Sequence, residues 1–196
     1  MGETAKQHEV AEERGSALYS RLLGGEWVNL DERVRWAHSA GVEKCGTFRV
    51  THGTGWPARW ATRSSRLPQE TSAAETCLRI IADDSGERWE RSFNGETFTT
   101  QQWAAGGMLV ERFGAWELRF ALRVEQGALV YEPRGARFCF GLLRLPMPLA
   151  CAPFVEAREW AGEDKARVRV AVKVTLPIVG LLIAYDGHLI VKNKTT

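Results

Sequence analysis

Between Arg167 and Leu176 the chain alternates without a break. Val168, Val170, Val172, Val174 and Leu176 fall on one face, and Arg167, Arg169, Lys173 and Thr175 on the other. Successive side chains of a strand point to opposite sides, so a period of two buries one face and leaves the other to water. Strand-length segments of the same kind recur from about residue 76 to residue 191. The pattern predicts an antiparallel sheet folded around an apolar interior.

Turn chemistry divides the segments. A first strand is predicted over Gly46 to Thr51, then Thr76 to Asp83, Glu87 to Phe93 and Thr97 to Trp103, with turns at Asp84-Ser85-Gly86 and Asn94-Gly95. Asn-Gly between alternating segments is a strong hairpin signal. Met108 to Phe113, Trp116 to Glu125, Ala128 to Glu132, Ala136 to Phe140, Phe154 to Trp160 and Arg167 to Leu176 follow. Val179 to Tyr185 and Leu189 to Lys192 read as a closing hairpin that turns at Asp186-Gly187. Between them, Leu143 to Pro153 carries Pro146, Pro148 and Pro153, which predicts an irregular connection or a sheet edge, since proline lacks a ladder donor. About ten strands with short turns must dispose of their edges. The expected fold is therefore mainly β (α+β): a curved or closed, barrel-like antiparallel sheet, with N-terminal helices capping one end or face. A two-layer sheet folded around a helix is the alternative.

Those helices are predicted from near Val10 to Gly15 through Leu23, with Leu18, Tyr19, Leu22 and Leu23 on one side and Gly24-Gly25 as the stop. A shorter one, capped by Asp31, carries Val34, Trp36, Ala37 and His38 and ends at Gly41. Residues 1–15 read as a disordered tail and 16–192 as a single β-rich domain. His52 to Ala74 has loop composition with Trp56 and Trp60 in it, either a flap over a cavity or a plain packed loop.

Several classes lack support. A net charge of +2 from 26 basic and 24 acidic residues spread along the chain leaves no basic stripe for nucleic acid. Cys45, Cys77, Cys139 and Cys151 form no Cys-x-x-Cys pair, and His8, His38, His52 and His188 are equally scattered, so no metal site is expected. The polar start from Met1 to Arg14 does not read as a secretory signal, and Val174 to Val191 is too interrupted for a spanning helix. The expectation is a cytoplasmic protein with reduced thiols and no transmembrane segment. No Gly-x-Ser-x-Gly, phosphate-binding glycine loop or carboxylate-rich metal loop is present, so hydrolase, kinase and nicotinamide-dependent readings lack their signatures and no cofactor is expected.

Some residues form a recognisable set. They are Tyr19-x-x-Leu22-Leu23-Gly24 with His38 downstream, Trp89-x-Arg91-x-Phe93 with Gly95 and Phe98, Leu109-Val110-Glu111-Arg112-Phe113-Gly114, and Leu176-Pro177-x-x-Gly180-Leu181-Leu182-x-x-Tyr185-x-Gly187. In this order they resemble the bacterial domain of unknown function 4166, over about Leu18 to Val191. The resemblance implies an uncharacterised domain that also occurs joined to Rossmann-type oxidoreductase or membrane segments, hence small-molecule metabolism and an oxidoreductase partner. The chain departs from the pattern at His188, where a Trp is expected, and at Trp56 and Trp60, in a loop otherwise basic or leucine-rich.

The candidate site rests on polar residues that fall on inward faces. Arg91 shares a face with Glu87, Trp89 and Phe93, and a buried guanidinium needs a partner. Glu111, on a face with Leu109 and Phe113, and Glu159, on a face with Val155 and Ala157, are the candidates. Such a cluster is either a structural ion pair or a binding floor at which the cation meets a ligand carboxylate or enolate. Trp89, Arg91, Glu111, Arg112, Trp56 and Trp60 are the candidate ligand-binding residues, and Glu159, Tyr185 and His188 the candidate proton-transfer residues. The leading expectation is binding of a hydrophobic small molecule, lipid-like or polyketide-like. The alternatives are a cofactor-independent cyclase or isomerase on the same scaffold, and an interaction module for an oxidoreductase partner.

Overall fold

The computed structural model describes residues 17–64, 67–148, 150–164, 167–177 and 179–191. The tail expected over 1–15, and the start of the first expected helix, lie outside them. Helix α1 (17–23) buries Leu18, Tyr19 and Leu23 and ends at Gly24, whose φ of +54° suits glycine. The chain runs on as a 3-10 turn over Gly24–Asn29 into α2 (Glu32–Ala37). Asp31 caps α2 by accepting the Arg33 backbone N–H at 2.9 Å, as its position before the helix predicts.

The remainder is a barrel. The strands are β1 (Glu43–His52), β2 (Thr71–Asp83), β3 (Gly86–Phe93), β4 (Glu96–Ala105), β5 (Met108–Phe113), β6 (Trp116–Glu125), β7 (Ala128–Phe140), β8 (Leu143–Pro146), β9 (Phe154–Ala161), β10 (Arg167–Leu176) and β11 (Gly180–Val191). All pairings are antiparallel. Each of β1 to β7 pairs with the next, β7 pairs with β9, β9 with β10, β10 with β11, and β11 returns to β1. Ten strands thus close on themselves, and β8 is an extra strand on the outer part of β7. Closure removes the free edges that a meander of this length would expose. The Pro-rich segment after β7 begins as this added edge strand, where a missing ladder donor costs least.

Three expectations for the strands are corrected. The two segments at Ala128 to Glu132 and Ala136 to Phe140 are one strand, β7, bulged where Phe120 faces Pro133 and Arg119 faces Gly135. The bulge turns β7, so only Leu129, Val130 and Tyr131 meet β9 while Arg137 to Phe140 meet β8. Asp186-Gly187 is not a turn but the middle of β11, with Gly187 paired to Phe48 and Val170. A Cβ at Gly187 would stand 2.3 Å from the Thr47 carbonyl oxygen and 2.5 Å from the Phe48 ring. Close approach of β1 and β11, not turn geometry, is what requires glycine there. The loop of His52 to Ala74 contains a helix, α3 (Trp56–Ser64), and β2 begins within it at Thr71.

The thiols are a further correction. Cys45 and Cys77 sit opposite each other on β1 and β2 and form a disulfide, so these two are not reduced. Their 32-residue separation hides the pair in the sequence, and only strand register brings it together. Cys139 and Cys151 are free. No described helix is long and apolar enough to cross a membrane.

An antiparallel meander sends successive connections to alternate ends. The turns after β2, β4, β6 and β9 lie at one end, where α1 and α2 plug the barrel and the Asp31 N–H donates to the Gly127 carbonyl. The α3 connection, the β3–β4 and β5–β6 turns, the β7–β8 hairpin and the β10–β11 turn lie at the other. The core fills the plugged half, with Leu18, Tyr19, Val34, Val50, Ile80, Trp89, Leu109, Phe120 and Leu129 all buried. Each such side chain contributes about 1.5–3 kcal/mol on burial.

Candidate functional site

Strand alternation builds the interior in tiers. At the plugged end, β1 turns Lys44 inward, β3 Glu87 and Trp89, β4 Gln102, β7 Tyr131 and β9 Glu159, while α1 and the residue after α2 bring Tyr19 and His38 down onto them. Glu159 is held from both sides: its Oε1 accepts the Tyr131 hydroxyl at 2.8 Å, and its Oε2 lies 3.1 Å from His38 Nε2. Tyr19 donates to Gln102 Oε1 at 2.7 Å, and its hydroxyl lies 3.3 Å from that of Tyr131. Burial pushes the Glu159 carboxyl up, but His38, Tyr131 and Arg91 together outweigh it and hold the group below its ordinary value. Tyr19 and Tyr131 are pushed well up, first by burial and then by the neighbouring carboxylates.

Two more charged groups are enclosed beside this network. Lys44, fully buried, donates to the Ser39 carbonyl at 2.6 Å. Burial lowers it to about 8, against the pull of Glu87 and Glu159. Glu87 accepts the Trp89 indole N–H at 2.9 Å through Oε2, and its buried Oε1 has no protein partner. Burial raises Glu87 to about 8, against the Trp89 hydrogen bond and Lys44.

Arg91 marks the next tier. It donates to Thr100 Oγ1 at 2.9 Å, lies 3.5 Å from Glu111 Oε1, and sits 4.9 Å over the Trp89 ring. Burial disfavours its charge, but Glu111 foremost, with Tyr185, Tyr19 and Tyr131, restores it. Tyr185 packs against Phe48 and Phe93 and is pushed up to about 12 by burial, in spite of Arg91.

Above Arg91 the lumen is apolar. A cavity of about 410 Å³ is walled by Phe93, Phe98, Phe113, Trp116, Leu118, Phe138, Val155, Val172, Val174, Leu176, Leu182 and Ile183, with Trp60, Leu67, Pro68 and Pro153 among its lining and Arg91, Thr100, Glu111 and Tyr185 as its polar members. A second space of about 80 Å³ continues toward Glu159 and Tyr131 and shares Arg91, Phe93, Glu111, Val155, Val172 and Tyr185 with the first. The larger volume falls in the range of about 300–1,000 Å³ usual for small-molecule sites, and the smaller admits about two or three waters.

The sequence-derived candidates divide accordingly. Trp89, Arg91, Glu111, Glu159 and Tyr185 all line the lumen, and Trp60 lines its open end. Trp56 is 81% exposed on α3 and outside the lining. Arg112 and His188 alternate with the inward Glu111 and Leu189, which puts them on the outer face, where Arg112 pairs across to Glu117 and His188 to Arg169. Burial and then Arg167 and Arg169 lower the His188 imidazole. Among the described residues, the imidazole that does reach the interior is His38. Tyr131 and Gln102 are not legible, because nothing local marks them; Tyr19 stands on the apolar side of α1 and opens the first motif, but nothing in the sequence joins it to Gln102. Lys44 had a signal: a charge on the inward phase of β1, with Phe48 and Val50.

Among the described residues, Glu43, Cys45 and Cys77 place metal-ligating atoms within 4.8 Å of one another. Both sulfurs are committed to the disulfide and offer no thiolate.

The family model described as domain of unknown function (DUF4166) matches residues 30–189. No curated protein matches. Among solved structures, a protein of unknown function of the DUF3598 family from Nostoc punctiforme is similar at 13% identity and a TM-score of 0.45, over 77% of this chain and 47% of that one. The chain spans about half the length of that protein.

Proposed function

We propose that this chain, which belongs to the family of domain of unknown function 4166, holds one elongated hydrophobic molecule, lipid-like or polyketide-like, in its barrel, with a polar end group against Arg91. The observation that carries this reading is the lumen itself, about 410 Å³ of apolar space ending on a guanidinium, a carboxylate, a threonine hydroxyl and a tyrosine. At 3.5 Å the contact to Glu111 is long for an ion pair, which leaves Arg91 donors for a ligand carboxylate or carbonyl. A pure interaction module would gain nothing from an open interior.

The electrostatics favour holding over turnover. Efficient proton transfer needs a group poised near the working pH. Glu159 is pulled down and has each oxygen engaged, whereas Tyr185 is pushed up to about 12. Lys44 and Glu87, each brought to about 8, line neither cavity and so do not face a molecule held there. The cyclase or isomerase alternative also loses His188, which lies outside the lumen. An oxidoreductase partner of Rossmann type fits a carrier that presents its ligand to an enzyme. The cytoplasmic location expected from the sequence stands against the Cys45–Cys77 disulfide, a bond that oxidising compartments favour.

Native mass spectrometry of gently purified protein, followed by extraction and identification of the bound molecule, tests the reading. A single apolar molecule per chain is expected. A protein that arrives empty and is stabilised by none of a panel of fatty acids, quinones and polyketides would contradict it.

A further inference from the structure

The same end of the barrel that opens into the apolar lumen carries most of the large exposed apolar side chains among the described residues. Of the nine large apolar side chains exposed among the described residues, only Val28 and Trp36 belong to the plugged end. Trp56 and Trp60 lie on α3, Phe140, Leu142, Leu143 and Leu145 on the β7–β8 hairpin, and Phe154 at the start of β9. A soluble barrel gains nothing from such a rim, and clustered apolar exposure marks an interaction surface.

The arrangement on α3 says what kind. Ala58 and Thr62 are buried against the barrel, while Trp56, Arg59, Trp60 and Arg63 are exposed. Positions 56, 60 and 63, with 59 between, share one helix face, so the solvent side of α3 is a stripe of two indoles and two guanidinium groups. Trp and Arg together suit the boundary between acyl chains and anionic headgroups, where the ring sits at the interface and the guanidinium reaches the phosphates. The β7–β8 hairpin sets Arg144 among exposed leucines, its guanidinium half-exposed and 3.6 Å from Glu117 on β6, and neither α3 nor residues 140–148 contain an acidic residue. The exposed carboxylates at this end, Glu70, Glu75, Glu96 and Glu156, lie outside α3 and the hairpin, and Glu156 is paired with Lys173 at 3.2 Å.

We propose that the open end of the barrel docks onto an anionic lipid bilayer, with α3 and the β7–β8 hairpin as two feet on either side of the mouth. The exchange of ligand between lumen and membrane that this permits rests on the carrier reading above; the docking itself does not. An apolar molecule would then pass between acyl chains and lumen without crossing water, with Trp60 exposed on α3 and lining the cavity at once.

Cosedimentation of the full chain with vesicles of phosphatidylglycerol and phosphatidylcholine, against vesicles of phosphatidylcholine alone, tests the proposal. Binding to the anionic vesicles is expected to be about tenfold stronger or more, since each basic residue near such a surface raises partitioning about fivefold. Arg59→Glu with Arg63→Glu, and separately Leu142→Glu with Leu143→Glu, should each remove most of it while circular dichroism and binding of a fluorescent fatty acid stay unchanged. Absence of vesicle binding, or binding that both double variants retain, would overturn the proposal. So would a lipid-independent dimer that Leu142→Glu with Leu143→Glu dissolves, because the rim would then be a contact between copies. Vesicle binding without fatty-acid binding would uphold docking and contradict the carrier reading; the reverse result would overturn docking alone.

Discussion

His38 and Glu159 are separated by 121 residues, yet His38 Nε2 lies 3.1 Å from Glu159 Oε2 inside the plugged end of the barrel. The contact ties the residue after α2 to β9 and, through Tyr131, to β7, so it fixes the plug on the two strands that share the shortest ladder of the wall. Glu159 is thereby an anchor for the floor of the lumen.

The first prediction concerns that anchor. The folded-state Glu159 is depressed from its ordinary value of 4.5, with burial opposing and His38 and Tyr131 prevailing. A depressed carboxyl stabilises the fold above its ordinary value and loses that contribution as pH falls through the folded value. Resistance to urea should therefore fall below about pH 4.5 in the parent, and Glu159→Gln should flatten that limb. At neutral pH the same change should cost about 3 kcal/mol, because it breaks a buried pair.

Lys44 and Glu87 should give the protein an unusual stability profile between pH 5 and 10. Glu87 is raised to about 8, so the folded state binds the extra proton between 4.5 and 8 and stability falls as pH rises through that window. Lys44 is lowered to about 8 from 10.5, so the unfolded state binds the extra proton between 8 and 10.5 and stability rises with pH there. Their joint contribution has its minimum near 8. Denaturation midpoints across this range should show it; Glu87→Gln should flatten the acidic side and Lys44→Met the alkaline side.

Arg91 and Glu111 should respond oppositely to an anionic ligand. Arg91→Gln removes the cation that meets the ligand head and should weaken binding of a long-chain carboxylate about tenfold or more, by loss of a charge-assisted hydrogen bond. Glu111→Gln removes the competing carboxylate 3.5 Å from Arg91 and should strengthen it. Isothermal titration with a fatty acid and with the matching alcohol separates the two effects, since the alcohol should be far less sensitive to both changes.

How far the sequence could be read follows from which signals are local. Arg167 to Leu176 alternates so regularly that the pattern bounds the strand to the residue, and the same period places Arg91 inward with Trp89 and points to Glu111 and Glu159 as partners, of which Glu111 makes the contact. Asp186-Gly187 misled because a turn dipeptide and a close strand contact demand the same residue, and only the register to Phe48 distinguishes them. The helix of Trp56 to Ser64 was hidden by flanking Gly and Pro, although its buried positions 58 and 62 are one helical turn apart. The Tyr19–Gln102 and His38–Glu159 contacts and the Cys45–Cys77 bond join residues whose proximity is a product of barrel closure, so no local pattern announces them.

Gly187 offers a direct test of the corrected strand. An added methyl at position 187 would meet the Thr47 carbonyl oxygen at 2.3 Å. Gly187→Ala should therefore destabilise by about 2 kcal/mol through overpacking between β1 and β11, whereas at an exposed hairpin turn the cost would be smaller and would not depend on residue size. A chemical-denaturation series of Gly187→Ala and Gly187→Val distinguishes the two, with valine the worse.

The central claim is that the lumen above Arg91 holds the ligand, and the most direct measurement is fluorescence titration of a fluorescent long-chain fatty acid into the parent and into Val174→Trp, whose indole would fill the cavity wall midway between Arg91 and the mouth. The account predicts saturable binding at one molecule per chain in the parent, and its loss in Val174→Trp with the circular dichroism spectrum unchanged. Equal affinity in both proteins, or no saturable binding in the parent, would contradict it.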